Sequence, residues 1–287
     1  MKLAIESGCF PGLSHKERLD VIKSAGFDSV DFSLFRLSGD NAELLGENYI
    51  ERAEELRVHL DGLGLSCSQA HAPFDMREGD PISLDCEKYL RLTRAIEVAA
   101  ILGAPSIVVH AILINDRDRF EEYNRAFYIS LLPYAERVGI RIAVENLFYL
   151  DADENVTGGV LDDPKAHCDF VRSLGSPYFN ICLDLGHSAV TGHNVGDVIR
   201  AIDPELLGHL HVHDNDCVHD MHRTPFSGRL DWRDICSALC EIGYAGDMSL
   251  ELISQMKLYP TATARDAGLA YAEKIGRELI RMCKGRA

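Results

Sequence analysis

Residues 134–146 read YAERVGIRIAVEN and contain, in one stretch, the pattern that decides the fold. A helical stretch ends at Gly139, and glycine after a helix accepts the left-handed backbone conformation that other residues resist. A short run rich in Ile and Val follows and predicts a buried strand over 141–145. This strand ends on an acidic side chain, Glu145. The stretch therefore predicts one helix-to-strand unit of an α/β protein.

The same unit recurs along the 287 residues. Eight such units are typical of a (β/α)8 barrel, which takes about 250 residues. A doubly wound open sheet is the alternative, but no glycine-rich dinucleotide or phosphate loop follows any strand. We therefore predict an α/β fold, a (β/α)8 TIM barrel, with a single domain over 1–287. The predicted strands are 2–7, 29–33, 65–71, 106–110, 141–145, 179–184, 207–211 and 247–251, and the predicted helices are 14–25, 48–63, 85–102, 119–138, 164–174, 195–202, 232–242 and 263–284.

Composition limits the function and the compartment. The chain has 45 acidic and 29 basic residues and a formal charge of −16, which disfavours a nucleic-acid partner because affinity for phosphates comes from Lys and Arg. No apolar run approaches the roughly 20 residues that span a bilayer, and the N-terminus lacks the apolar stretch of a signal peptide. Nine scattered cysteines without a C-x-x-C pair indicate reduced thiols. We expect a cytoplasmic protein without a membrane partner.

Side chains of metal-ligand type end six consecutive predicted strands. In a barrel the carboxyl ends of the strands meet at one mouth, so these side chains would converge. Clustered carboxylates and imidazoles without a cation would repel one another or be driven neutral at a cost in free energy. A mixture of carboxylate oxygens and imidazole nitrogen suits Mn²⁺, Mg²⁺, Co²⁺ or Zn²⁺. The six residues are His71, His110, Glu145, Asp184, His211 and Glu251.

The segments after the sixth and seventh strands add further polar candidates. His187 follows Asp184 by three residues, and His209 and His213 share the strand face of His211, where one of them could support a ligand. The long stretch over 212–231 carries a second polar cluster, Asp220, His222 and Arg223. Such a loop is either an active-site lid or a solvated loop.

These motifs together resemble the xylose isomerase-like TIM barrels, which include sugar epimerases and isomerases, inosose dehydratases and endonuclease IV. The resemblance covers nearly the whole chain and implies the barrel fold. Its carriers are His71-Ala72-Pro73-Phe74-Asp75, Val144-Glu145-Asn146, Leu183-Asp184-Leu185-Gly186-His187, Gly208-His209-Leu210-His211, Gly228-Arg229-Leu230-Asp231-Trp232 and Ser249-Leu250-Glu251-Leu252.

The resemblance to ketose 3-epimerases implies that Glu145, Asp184, His211 and Glu251 hold one divalent metal, with no organic cofactor. It makes Glu145 and Glu251 the catalytic acid/base pair of an isomerase or epimerase, which transfers a proton through an enediolate of a small keto-sugar or polyol. Two departures from that pattern are Cys217, where those epimerases carry Arg, and Asp151, where they carry Glu. The substrate-binding candidates are His71, His110, His187, Asp220, His222 and Arg223.

Three alternatives stay open. The same base and metal could serve a lyase or dehydratase acting on a keto-inositol or keto-glycoside. The resemblance to endonuclease IV implies a phosphodiesterase with three zinc ions. This chain matches the zinc-ligand types of that family in order, but its negative charge disfavours DNA as a substrate. The third alternative is a sensor that binds a sugar but catalyses no reaction. Because cations at the mouth are few, mainly Arg223 and Arg229, we expect an unphosphorylated carbohydrate as substrate. Relatives are often dimers or tetramers, so a homo-oligomer is also an expectation.

Overall fold

The computed structural model describes residues 1–10, 12–36, 38–114 and 116–285. Strands form at the apolar runs, and each predicted strand is present. Within the described residues the strands are β1 (Leu3–Glu6), β2 (Ser29–Ser33), β3 (Ser66–His71), β4 (Ser106–Val109), β5 (Arg141–Glu145), β6 (Leu147–Leu150), β7 (Val156–Val160), β8 (Phe179–Asp184), β9 (Leu207–His211) and β10 (Met248–Leu250).

Eight strands form one parallel sheet in the order β10-β1-β2-β3-β4-β5-β8-β9. The two ends of this sheet meet through a parallel bridge between Val212 and Leu250. Val212 donates to the Ser249 carbonyl at 2.9 Å, and Glu251 donates to the Val212 carbonyl at 3.1 Å. The sheet is therefore a nearly closed barrel, and the predicted (β/α)8 fold is confirmed.

Helices connect the strands, as the crossover between parallel strands requires. Three short helices and a 3-10 turn over Ser7–Cys9 add to the predicted set. The helices in the described chain are α1 (His15–Ser24), α2 (Asp40–Leu44), α3 (Tyr49–Leu63), α4 (Glu87–Leu102), α5 (Arg117–Val138), α6 (Pro164–Ser173), α7 (Leu185–Val190), α8 (Val195–Ala201), α9 (Trp232–Glu241), α10 (Ile253–Lys257) and α11 (Ala262–Cys283).

Local sequence explains where these helices begin and end. Ser14 and Glu17 form a reciprocal capping box at the start of α1, and Asp163 caps α6, whose first residue is Pro164. An N-cap of this kind stabilises a helix by about 1 kcal/mol. Gly64 follows α3 at φ +61° and Gly103 follows α4 at φ +84°, so both adopt the left-handed conformation predicted for helix ends.

Alternation along the strands places the polar residues at the barrel mouth. Successive strand side chains point to opposite faces, so residues two apart share a face. His110, Glu145 and Asp184 each lie two residues beyond a member of a small buried cluster inside the barrel. These residues therefore point into the barrel at its carboxyl end. The interior cluster consists of Val108, Ala143 and Cys182.

The structure corrects the expected simple connection between the fifth strand and its helix. Strands β6 and β7 pair there as an antiparallel hairpin beside the mouth. Three strands, β1, β4 and β10, also end one residue earlier than predicted, so His110 and Glu251 stand just beyond β4 and β10. All nine cysteines are free thiols, as predicted. Within the described residues, no helix has both the length and the apolar character of a bilayer span.

Candidate metal centre and active site

The imidazole of His211 lies at the centre of four residues at the barrel mouth. Its Nδ1 is 3.1 Å from Oε1 of Glu145, 3.5 Å from Oε2 of Glu251 and 3.8 Å from Oδ2 of Asp184. All four side chains are buried. The structure thus brings together the four residues that the sequence analysis named as metal ligands.

Asp184 is held in place from two sides. The side-chain amide of Asn146 makes two hydrogen bonds to the Asp184 backbone. It donates to the Asp184 carbonyl at 3.0 Å and accepts from the Asp184 N–H at 2.8 Å. Its carboxylate caps α7, because Oδ1 accepts from the His187 N–H at 2.7 Å. The Nε2 of His213 lies 3.1 Å from the same oxygen, so His213 supports this ligand, as the strand alternation suggested.

The other side of His211 faces a residue that the sequence analysis missed. Asp31, buried in β2, places Oδ2 3.6 Å from Nε2 of His211. That carboxylate also accepts hydrogen bonds from the Gln69 amide and the Ser249 hydroxyl. At 3.6 Å this contact is a charge interaction and not a hydrogen bond, and a negative charge behind a histidine raises its basicity as a ligand. An aspartate inside an otherwise buried strand was the available sequence signal.

The electrostatics of the mouth favour ionised carboxylates. Burial opposes ionisation of Glu145, but His211 and His110 hold the pKa of Glu145 well below its usual range. Burial likewise disfavours charged His211, yet the nearby anionic groups, including Glu145 and Glu251, raise its pKa well above the ordinary value. Each ionised group is thus stabilised only by a partner of opposite charge in the same buried site.

Unpartnered buried atoms show that these residues fit a divalent cation. Oδ1 of Asp220 is buried without a hydrogen-bond partner, and Oε2 of Glu145 has none of good geometry, although Nε2 of His110 lies 2.8 Å from it. Buried polar atoms are nearly always satisfied, so such atoms require an explanation. Three carboxylates and one imidazole form a donor set that suits Mn²⁺, Mg²⁺, Co²⁺ or Zn²⁺. Both the chemistry of the donor atoms and the proximity of the four side chains therefore fit a divalent cation.

A second ligand group lies beside the first and shares Glu145. Nε2 of His71 and Nε2 of His110 are 2.9 Å apart. Oε2 of Glu145 is 2.8 Å from His110 Nε2 and 3.7 Å from His71 Nε2. These three side chains also place one ligand atom each within 4.8 Å of one another.

A third group involves the long loop after β9. Oδ2 of Asp220 lies 2.8 Å from Nε2 of His222 and 3.8 Å from Nε2 of His187, and its Oδ1 lies 3.6 Å from Nε2 of His213. Burial opposes protonation of His222, but Glu251 and Asp220 raise its pKa to about 9. The loop therefore carries Asp220 and His222 into the mouth.

Backbone pairing fixes the course of this loop. Asp214 and Arg223 exchange two backbone hydrogen bonds of 2.7 and 2.9 Å. The Asp214 carboxylate accepts from the Trp232 indole at 2.8 Å. The Arg223 side chain is exposed and is not among the residues that line the mouth cavity, so the structure does not bring it to the other candidates.

The mouth opens into a cavity of about 470 Å³ with a largely aromatic wall. Phe74 packs edge-on against His110 with ring centroids 4.4 Å apart, and Phe148 packs against His187 at 5.0 Å. Phe148 belongs to the unexpected hairpin. Asp151 lies in the hairpin turn, exposed and bonded to Asn155, and does not line this cavity.

Comparison with known proteins identifies the family. The sequence model of the xylose isomerase-like TIM barrel family matches residues 19–275 of this chain. The chain belongs to this family.

Relatives of this xylose isomerase-like barrel include proteins of similar length. The uncharacterized protein y4fM of Sinorhizobium fredii is 27% identical in an alignment of 283 residues that covers 88% of this chain and 87% of that protein. A D-psicose 3-epimerase of Agrobacterium fabrum is 31% identical over 122 residues, which are 42% of this chain and 38% of that enzyme. The crystal structure of a D-tagatose 3-epimerase-like protein superposes with a TM-score of 0.76 and 22% identity, covering 100% of this chain and 99% of the other.

Proposed function

We propose that this xylose isomerase-like barrel is a divalent-metal-dependent epimerase or isomerase of a small keto-sugar or polyol. The carrying observation is the position of His211 Nδ1, 3.1 to 3.8 Å from carboxylate oxygens of Glu145, Glu251 and Asp184. The partial match to a D-psicose 3-epimerase supports the same activity class. The substrate class is a small carbohydrate.

The two glutamates act on the proton in this proposal. Glu145 ends β5 and Glu251 follows β10, so they reach the mouth from well-separated strands of the barrel. One carboxylate removes the proton beside the substrate carbonyl, and the other carboxyl delivers a proton to the opposite face, which inverts the carbon. When bound by Glu145, Asp184, His211 and Glu251, a divalent cation supplies positive charge that stabilises the enediolate.

The remaining mouth residues orient the substrate. His71, His110 and His187 line the cavity with nitrogen atoms that can bond sugar oxygens, and Asp220 and His222 close the site from the loop after β9. The aromatic wall excludes water from the reacting carbons, which strengthens the electrostatic interactions there. Holding the reacting carbon between two carboxyl groups also lowers the entropy cost of the proton transfers.

Deuterium exchange tests this mechanism. Metal-loaded protein in D₂O should convert keto-sugars with uptake of one deuterium at the carbon beside the carbonyl. Glu145→Gln and Glu251→Gln should each reduce uptake by at least about 100-fold, the usual effect of losing a general acid or base. The exposed Glu136→Gln is the matched control, and metal analysis verifies that the ion is retained. Conversion without deuterium uptake contradicts the mechanism, and loss of a leaving group in the product indicates the lyase instead.

A second candidate function rests on the two additional ligand groups. His71, His110 and Glu145 form one, and His187, His213, Asp220 and His222 form another. Three adjacent groups of this composition could hold three zinc ions, as in an endonuclease IV-like phosphodiesterase that activates water. Three tightly bound ions per chain, with cleavage of a phosphodiester, would favour this candidate over the epimerase.

A further inference from the structure

A second cavity of about 420 Å³ lies directly beside the metal cavity. Phe35 and Ile253 line both cavities, so the two spaces meet at these side chains. The second cavity is built from the segments that follow β1, β2 and β10, and the buried carboxyl of Glu6 lies against it. Phe35 and Ile253 therefore form the wall that separates this space from the metal cavity, and a molecule that occupies both cavities would pass these two side chains.

Three cationic side chains line this second cavity. They are Arg18 on α1, Arg36 after β2 and Lys257 on α10. Within the described part of the chain, none of the three has a carboxylate oxygen within 4 Å. Arg18 is half-buried, and its Nε donates to the Leu13 carbonyl at 2.8 Å. A guanidinium without an ion pair retains most of its hydrogen-bonding capacity for a ligand.

Two carboxylates, Asp40 and Glu6, also line this cavity and attract Arg18, so the cations exceed the carboxylates there by one. Oδ2 of Asp40 accepts a hydrogen bond from the His15 backbone N–H at 2.9 Å. Glu6 is buried, and Sγ of Cys9 lies 3.6 Å from its Oε2. Three cations thus face two carboxylates that other groups engage, in a chain whose overall charge is −16. This cavity would therefore attract an anion although the protein as a whole is negatively charged.

Two of the cations follow closely on residues of the shared wall. Ile253 and Lys257 are four residues apart on α10, and residues with this spacing lie on the same helix face. Because Ile253 contacts both cavities, Lys257 extends along the same face into the second one. Arg36 directly follows Phe35 in the chain. Arg36 is therefore one residue from Phe35, and Lys257 is one helical turn from Ile253, in the wall shared with the metal cavity.

We propose that the second cavity is a subsite for an anionic group, phosphate or carboxylate, on the end of the carbohydrate remote from the reacting carbons. This inference rests on the proposed carbohydrate substrate at the metal centre. Guanidinium groups bind such oxygens through charge-assisted hydrogen bonds, often in pairs, and an ammonium adds a point charge. An unphosphorylated sugar was expected from the sequence because Arg223 and Arg229 were the main cations predicted at the mouth, and this cavity adds three others.

Isothermal titration of the metal-loaded protein tests the subsite with three keto-sugars of similar size. D-fructose is neutral, D-fructose 6-phosphate carries a phosphate, and 5-keto-D-gluconate carries a carboxylate. At least one anionic probe should bind ten-fold or more tightly than D-fructose. The probe that shows this gain identifies the anion as phosphate or carboxylate.

Variants distinguish this subsite from direct binding of the anion to the metal. Arg18→Met, Arg36→Met and Lys257→Met should each lower affinity for the anionic probe at least three-fold and leave D-fructose unchanged. Arg18→Lys should restore part of the loss. The control is Lys274→Met, which removes one exposed positive charge on α11 and should alter neither affinity.

Two results would overturn the proposal. One is equal affinity for all three probes, and the other is a gain for the anion that persists in the Arg18→Met/Lys257→Met double variant. Affinity is compared between probes whether or not the protein converts them, so the two proposals fail separately. A protein that prefers the anionic probe but exchanges no deuterium contradicts the epimerase and retains the subsite, and the reverse result retains the epimerase alone.

Discussion

Nε2 of His71 and Nε2 of His110 lie 2.9 Å apart, and Oε2 of Glu145 is 2.8 Å from the second of them. Two imidazole nitrogens at this separation either share a proton or face a common ligand, because a neutral imidazole has one donor and one acceptor. The pair stands beside the four proposed metal ligands. Its role depends on how many ions the mouth holds.

Metal counting decides that role. For the epimerase we expect one tightly bound Mn²⁺, Mg²⁺, Co²⁺ or Zn²⁺ per chain after dialysis, measured by plasma mass spectrometry. His110→Ala should then leave the metal content at one and raise the KM for the sugar, whereas Asp184→Ala should remove the ion. A wild-type count of three that falls by one in His110→Ala contradicts the single-ion centre.

Replacing Asp31 should weaken the metal centre without unfolding the barrel. Asp31→Asn keeps the size of the side chain but removes the charge 3.6 Å from His211 Nε2. Loss of such a supporting carboxylate typically costs about 10- to 100-fold in metal affinity. Titration of the stripped protein with Mn²⁺ measures this change.

The control for that experiment is Asp28→Asn, which removes a carboxylate of the ion pair with Arg277 outside the mouth. Its metal affinity should equal that of the wild type. An unchanged affinity in Asp31→Asn would show that His211 needs no carboxylate behind it.

A methyl group at position 186 should disturb the site through His213. A Cβ built on Gly186 would lie 1.9 Å from Cε1 of His213, closer than any real contact allows. His213 must then move away from Asp184, whose carboxylate it supports at 3.1 Å. We expect Gly186→Ala to lower metal affinity and kcat at least ten-fold, as measured by metal titration and steady-state kinetics.

Gly62→Ala serves as the matched glycine replacement, since nothing lies within 4 Å of a Cβ built there on α3. It should keep wild-type activity and gain stability of about 0.5–1 kcal/mol from helix propensity. Full activity in Gly186→Ala would indicate that His213 does not position Asp184.

A buried histidine should make the protein less stable in mild acid. Burial, and next the nearby Arg18, lower the pKa of His15 to about 4 from its ordinary 6.5. Between these values the unfolded chain binds more protons than the folded chain, so the free energy of unfolding falls as the pH falls from about 6.5 to about 4. One such group contributes a slope of at most about 1.4 kcal/mol per pH unit.

Urea unfolding at pH 7, 6 and 5 measures that slope. Both ring nitrogens of His15 lack hydrogen-bond partners, so His15→Leu removes the titration without breaking a bond. The variant should show a smaller slope than the wild type, while His219→Leu at an exposed position should change it less. Equal slopes in the wild type and His15→Leu would contradict this assignment.

Much of the candidate site at the barrel mouth could be predicted from residue order. Strand and helix periods are local properties of the chain, and parallel strands in a barrel must end on one edge. Glu145, Asp184 and His211 end their strands, so their convergence followed once the repeat was recognised. That His209 or His213 could support a ligand also followed, because residues two apart in a strand share a face, but the pairing of His213 with Asp184 did not.

Other features depend on contacts that no local pattern records. Asp31 supports His211 only because β2 and β9 face each other across the closed barrel. The β6–β7 hairpin was missed since Val156–Val160 includes two glycines and reads as a loop. The second cavity joins Arg18, Arg36 and Lys257, which are up to 239 positions apart in the sequence.

By itself, then, the sequence determined the eight-fold repeat, the free thiols and the ligand-type residues at the strand ends. These follow from periodicity and from side-chain chemistry at single positions. Only the tertiary structure decided which side chains support those ligands, that Arg223 stays outside the mouth cavity and that a cationic cavity adjoins it. Such relationships arise when barrel closure and loop packing bring distant segments together, and their distances are set by the whole fold.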